Sequence, residues 1–330
     1  MIKIFTLADK RPDFIEMQYN SIKKHWKGDF EYIIINNAIS SPNSFEQINQ
    51  ICHSLNIKCI PVELLENLNN GTFSGNVYKN VNTACLYPLT WLFQEKLDNT
   101  ELLCFIDSDM FFINDFNTNE ILIKEDLIYM PQYRGTFEYI APAIVFLNLN
   151  NVKNYKEINW NFSNTEAGVT DVGGCTNVFL KNNETIPKKY IEQYSISQLS
   201  FNDSIATIHI IINGNINYEI IENYDLNQLI SIKYIGGNQR VNENKSFLHQ
   251  SDSLDYNKKL YSEYLQIKNI IKNKNFPNPF HTGFMKFMDE DNFFLLHYQT
   301  GSNYADFSTE NYNNNKTKVI REILSNTVCQ

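Results

Sequence analysis

Asp107 and Asp109 close the apolar run Leu102-Leu-Cys-Phe-Ile106, with Ser108 between them and Met110-Phe-Phe112 behind. In an extended chain residues i and i+2 project to one side, so the two carboxylates share a face at the end of a strand while Ser108 turns into the loop. Paired hard oxygen ligands suit Mg2+ or Mn2+, which take one or two carboxylates and complete their shell with water and substrate phosphates. A cation there would stabilise the charge that builds on a departing nucleoside diphosphate. Asp-x-Asp alone also arises by chance in turns and solvated loops. Its position after a buried strand, downstream of three earlier strand–loop units, is what gives it weight.

Other residues have matching chemistry. His297 lies in Phe293-Phe-Leu-Leu-His-Tyr298, ahead of Gly301-Ser-Asn303, and a neutral imidazole there is a third metal ligand; a hydrogen-bonded core histidine is the alternative. His249 competes with it in Phe247-Leu-His-Gln-Ser-Asp-Ser253, which lacks the glycine, and His281 reads as structural. Two of the four arginines, Arg11 and Arg134, fall in loops just after strand-like runs, where a guanidinium meets a diphosphate or carboxylate in bidentate fashion. Asp171 precedes Gly173-Gly174, whose permissive backbone lets a carboxylate approach a sugar hydroxyl, to orient the donor or to act as general base on the acceptor; an Asx-turn is the plainer reading. Tyr78 is placed to stack on a base, whereas Tyr87, Trp91 and Phe93 read as core.

The elements that must position these residues follow from apolar periodicity. Ile2 to Leu7 is a buried strand, and Pro12 opens a helix carrying Phe14, Met17, Ile22 and Trp26. Tyr32-Ile-Ile-Ile35 is a second strand, Ser41-Pro42 starts a helix reaching Leu55, and Lys58-Cys-Ile-Pro-Val62 is a third strand. A polar loop from Asn67 to Asn76 and a helix from Val81 to Leu97 lead into Leu102–Ile106. Strands alternating with helices predict a largely parallel sheet with ligands beyond its carboxyl ends. After Asp109 the order changes: Leu127-Ile-Tyr-Met130 and Ile144-Val-Phe-Leu147 are short strands separated by the loop Pro131-Gln-Tyr-Arg-Gly135, with strands at Ile205–Ile212 and Ile230–Ile235 and a helix over Leu254–Ile271. No clean linker or internal repeat is visible, so residues 1–330 read as one domain.

The chain has 330 residues, 43% hydrophobic and 20% charged, which is ordinary globular composition. A net charge of −9 speaks against nucleic acid, and it requires a cation or local basic groups wherever an anionic substrate binds. The six cysteines form no Cys-x-x-Cys pair, the start lacks the apolar content of a signal peptide, and no run approaches a membrane span, so a cytoplasmic location is expected.

Phe105-Ile-Asp-Ser-Asp-Met-Phe111 resembles the acidic core of the GT-A nucleotide-diphospho-sugar transferases, and more loosely of their glycogenin-like members. The resemblance implies an α/β fold with a Rossmann-like, mostly parallel central sheet flanked by helices and an acceptor-side C-terminal extension. Residues 1–115 would form the nucleotide half and 116–330 the sugar and acceptor half. Thr6, Ala8 and Arg11, with Asn36 and Asn37, stand where such enzymes receive the nucleoside. Tyr139–Leu147 is similar to the strand flooring the sugar pocket, Thr170–Thr176 to the next sugar-side segment with Asp171, Gly173 and Gly174, and Leu295–Asn303 to the terminal segment whose histidine completes the metal site. Ser108, Arg134 and Tyr78 are further candidates for donor contacts, the last two by their place in loops. The glycogenin-like pattern has a lysine after the terminal glycine; here Ser302 and Asn303 follow Gly301, and loop amides and hydroxyls would hold the phosphates instead. The implied activity is transfer of a sugar from a nucleotide diphosphate donor to a glycan or other hydroxyl acceptor, with Mn2+ or Mg2+ on Asp107, Asp109 and His297. The alternatives are a catalytically weak or inactive carbohydrate- or nucleotide-sugar-binding protein of the same fold and a phosphohydrolase, which would want Thr or Val where Phe111 stands.

Overall fold

The computed structural model describes residues 1–38, 41–62, 81–117, 124–201, 204–213, 216–223, 229–236, 254–271, 282–299 and 310–326. The first half alternates strand and helix as its periodicity requires: β1 (Ile2–Ala8), α1 (Pro12–His25), β2 (Trp26–Lys27), β3 (Phe30–Asn36), α2 (Pro42–Ser54), β4 (Lys58–Pro61), α3 (Val81–Trp91), β5 (Leu102–Ile106), β6 (Met110–Phe112) and β7 (Phe116–Asn117). Strands β4, β3, β1 and β5 lie side by side and parallel.

Successive residues of these strands feed opposite cores, which is why they read as unbroken apolar runs. Ile4, Ile34, Cys104 and Ile106 pack with Ile15 and Ile22 of α1 and Ile48 and Cys52 of α2. Phe5, Ile33, Leu103 and Phe105 point the other way, onto Leu86, Leu89 and Trp91 of α3. Both α1 and α2 begin on a proline, whose missing N–H costs nothing in a first turn. Pro88 sits inside α3, which widens into a π-turn over Leu92–Lys96. Proline removes a helical hydrogen bond and crowds the preceding turn, so a local change of helical pitch beside it is expected.

β8 (Leu127–Arg134) and β9 (Phe137–Asn148) form an antiparallel hairpin beside β5, with Ile106 opposite Ile144. The segment from Pro131 to Gly135, expected as a loop, is strand as far as Arg134. The register slips between Tyr129 and Pro131, an irregularity that accommodates a residue with no N–H to give, and the turn comes only at Gly135, at φ 60°.

The C-terminal extension beyond β9 is antiparallel within itself, although β12 runs parallel to β8. It comprises β10 (Asn164–Thr165), β11 (Gly168–Val169), α4 (Thr176–Asn182), β12 (Lys188–Phe201), β13 (Ile205–Ile212), β14 (Ile216–Asn223), β15 (Leu229–Gly236), α5 (Leu254–Ile271), β16 (Gly283–Phe287), β17 (Leu295–His297) and α6 (Glu310–Asn326). β12 joins β8, so a single sheet runs β15-β14-β13-β12-β8-β9-β5-β1-β3-β4, with β16, β17 and β6 branching from β12. The α/β architecture with flanking helices is thus present, its parallel strands confined mainly to the first half of the chain. A third core lies under the extension, where Ile208, Ile210 and Phe284 meet Leu260 and Tyr264 of α5, Ile320 of α6, and Phe14 of α1. Among the described residues no helix is long and apolar enough to cross a membrane.

Candidate metal centre

β5 ends at Ile106, and the chain then turns rather than staying extended. The Asp107 N–H donates to the Ala143 carbonyl at 2.8 Å, the Met110 N–H to the Asp107 carbonyl at 3.2 Å, and the Ser108 N–H to Asp107 Oδ1 at 2.9 Å. This corrects the strand-alternation argument: a hydrogen-bonded turn, not a shared strand face, brings the two carboxylates together. From the turn β6 sets out and pairs with β17, with Met110 opposite His297. The Tyr298 N–H donates to the Asp109 carbonyl at 2.8 Å. His297 Nε2 therefore lies 3.2 Å from Asp109 Oδ1, and one ligand atom from each of Asp107, Asp109 and His297 falls within 4.8 Å of the others. This is the one such cluster among the described residues. His249 and His281 lie outside them.

The electrostatics fit a cation. Burial, and then the neighbouring Asp109 charge, push the Asp107 carboxyl up to about 7, with His297 and the Ser108 N–H offsetting part of the rise. Two carboxylates held this close and partly withdrawn from solvent disfavour their joint ionisation, and a divalent ion would relieve that repulsion. Carboxylate oxygens with one imidazole nitrogen suit a divalent cation. Beside the cluster the buried Lys316 of α6 donates to the carbonyl of Tyr298, and to that of Gln299 at 3.4 Å. Burial pulls its ammonium down to about 7, and Asp109 opposes that.

The residues assigned to the nucleoside side sit at the carboxyl ends of β1 and β3, but their side chains turn inward. Thr6 Oγ1 donates to Gln18 Oε1 at 2.8 Å, and Asn36 Nδ2 donates to the Phe45 carbonyl and to Asn49 Oδ1, each at 3.0 Å. The Ala8 carbonyl accepts from the Asn37 N–H at 2.8 Å. These contacts shape the loops at the carboxyl ends of β1 and β3. Arg11 forks onto Asp13 with both contacts at 2.8 Å and lies over the Phe14 ring at 3.8 Å. Ser108 is buried within the turn. Tyr78, Gly301 and Ser302 lie outside the described residues.

A second group forms around Asp171. Arg134 donates to Asp171 Oδ2 at 2.9 Å and to the Val169 carbonyl at 3.4 Å, and the Asp171 N–H donates to the Tyr139 hydroxyl at 3.5 Å. Gly173 and Gly174 have steric reasons to be glycine. A Cβ on Gly173, at φ 95°, would lie 2.3 Å from the Ile140 carbonyl oxygen, and one on Gly174 would lie 1.8 Å from Thr170 Oγ1. The two groups meet along β9: Ala143 receives Asp107, Ile140 abuts Gly173 and Tyr139 reaches Asp171, within about 14 Å of strand at the usual rise per residue.

Sequence reasoning missed Gln18, Gln193 and Lys316. Gln18 donates to the Asp107 and Met110 carbonyls at 2.7 and 2.8 Å, and Gln193 Oε1 lies 2.7 Å from His297 Nδ1. A signal existed for Gln18 alone, a polar residue on the buried stripe of α1 between Met17 and Ile22.

No family model matches this sequence, and no curated protein does. Among solved structures the chain is similar to an active-site mutant of LgtC, at 13% identity over 47% of this chain and 65% of that one, with a TM-score of 0.34. It is likewise similar to the mannosyltransferase Ktr4p from S. cerevisiae, at 7% identity over 48% of this chain and 58% of that one, again with a TM-score of 0.34. The chain spans less than two thirds of the length of either. A fold hosts many chemistries, so function is read from the site itself.

Proposed function

We propose that this protein is a glycosyltransferase that moves a sugar from a nucleotide diphosphate donor to a hydroxyl acceptor, with Mn2+ or Mg2+ held by Asp107, Asp109 and His297. One observation carries the reading: two carboxylates at the end of a parallel strand and a histidine far along the chain converge within 4.8 Å. When bound, the ion supplies a positive charge for the diphosphate in a protein of net charge −9.

The remaining work belongs to the chain. The loops after β1 and β3, fixed by Thr6–Gln18 and Asn36–Asn49, form the platform for the nucleoside. Arg134 orients the Asp171 carboxylate, which is about half exposed and free to meet a donor or acceptor hydroxyl through its second oxygen. From there it accepts a hydrogen bond that positions the sugar, or takes the proton as the acceptor oxygen attacks.

The test is a panel of nucleotide sugars offered with and without Mn2+, reading donor binding and release of the nucleoside diphosphate. Turnover should vanish with chelator and fall by at least ~100-fold in Asp109→Asn. Turnover indifferent to both sinks the metal-dependent reading. Donor binding without turnover across a broad acceptor panel would instead indicate a non-catalytic nucleotide-sugar-binding protein.

A further inference from the structure

His297 is held from behind by a residue outside the cluster. β12, β16, β17 and β6 are successive neighbours, and one row across them reads Ser195, Gly283, His297, Met110. Gln193 stands two residues from Ser195 on β12 and so projects to the same face. Its side chain crosses Gly283 and brings Oε1 to 2.7 Å from His297 Nδ1. The crossing requires glycine: a Cβ on Gly283 would lie 2.4 Å from Gln193 Cδ, 2.7 Å from Cγ and 2.8 Å from Oε1. The backbone under Gln193 is pinned as well. Its N–H donates to Asn213 Oδ1 at 2.7 Å, and the Asn213 N–H returns a bond to its carbonyl at 2.8 Å. Gln193 is 5% exposed.

An amide oxygen only accepts, so its partner nitrogen must carry the proton. With Nδ1 protonated, the lone pair of the neutral ring resides on Nε2, the atom facing Asp109. We propose that Gln193, threaded over Gly283, is the positioning residue that fixes His297 in the Nδ1–H tautomer and aims Nε2 into the cluster. The inference rests on the metal-centre reading, yet half of it concerns the ring alone. Groups behind a ligating imidazole set its tautomer and orientation, and their loss commonly costs 10–100-fold in metal affinity.

Two measurements test it. The first is the 15N spectrum of histidine-labelled, metal-free protein at about pH 8.5, where an ordinary imidazole is neutral, with His297 assigned by its loss in His297→Asn. Wild type should show a protonated Nδ1 and a bare Nε2; Gln193→Leu should show mixed tautomers. The second is Mn2+ titration. Gln193→Leu should raise Kd 10–100-fold, and Gln193→Glu, which keeps an acceptor, should stay within about threefold of wild type. Gly283→Ala should weaken binding as Gln193→Leu does, because its methyl occupies the path of the side chain. It should add nothing in a Gln193→Ala background, where the path is empty. The three atoms nearest that methyl all belong to the Gln193 side chain, so the side chain is what Gly283→Ala displaces first. An Nε2–H tautomer in wild type overturns the inference, as does Gln193→Leu with unchanged tautomer and unchanged Kd. Wild-type protein that binds no Mn2+ refutes the metal reading, and the 15N spectrum then still decides the role of Gln193.

Discussion

The side-chain amide of Gln18 donates to the backbone carbonyl of Asp107 at 2.7 Å, tying the first helix to the first residue of the acidic turn. The same amide donates to the Met110 carbonyl at 2.8 Å, while Oε1 accepts from Thr6 and from Tyr32 at 2.8 and 2.5 Å. One buried glutamine therefore satisfies both ends of the turn and two hydroxyls. Gln18→Leu should cost about 3 kcal/mol in chemical denaturation, because it strands several buried polar groups at once. It should also weaken Mn2+ binding without touching a ligand.

The Asp107 carboxyl, raised to about 7 from an ordinary value near 3.8, sets a pH dependence. Between those values the folded state holds a proton that the unfolded state has released, so stability of the metal-free protein should fall as pH climbs through this window. Mn2+ competes with that proton, and its thermal stabilisation should grow over the same interval. Asp107→Asn should flatten both curves. A metal-free melting temperature that rises from pH 5 to pH 7 specifically through Asp107 would contradict the assignment.

Lys316 predicts the opposite slope at higher pH. Its ammonium is drawn down to about 7, so from there to its ordinary value near 10.5 the unfolded chain binds the extra proton and stability should increase with pH. Lys316→Met removes this increment. It also leaves the Tyr298 and Gln299 carbonyls without that donor, which should speed hydrogen exchange in α6.

Asp171 and Gly173 should separate chemistry from stability. Asp171→Asn keeps the shape of a partly exposed side chain, and under the proposed function it should lower kcat about 100-fold with a small change in melting temperature. Gly173→Ala drives a methyl into the Ile140 carbonyl at a left-handed φ and should destabilise the fold by at least ~2 kcal/mol.

Much of the fold as far as β5 was legible because parallel strands buried on both faces are continuous apolar runs, and proline marks the two helix starts. The extension was less so. β12 carries polar residues such as Glu192, Gln193 and Ser195 on strands packed from both sides, and Pro131 imitates a break inside β8. Asp107 and Asp109 were readable by their place after β5, and His297 by the glycine downstream, but the turn that joins the carboxylates was not. Gln18 and Gln193 act on a carbonyl and a ring nitrogen that only tertiary structure brings near, and a glutamine has no spacing that announces such a role.

The pairing of β6 with β17 makes the site depend on a long-range closure of the chain. Its contacts span nearly two hundred residues of chain, and closures of that length come after local ones. A chain still emerging, or clipped before Leu295, contains the parallel strands and both aspartates yet lacks the imidazole and the strand that presents it. Under the proposed function, competence would then depend on β17, and a molecule lacking that strand would be inert rather than partly active.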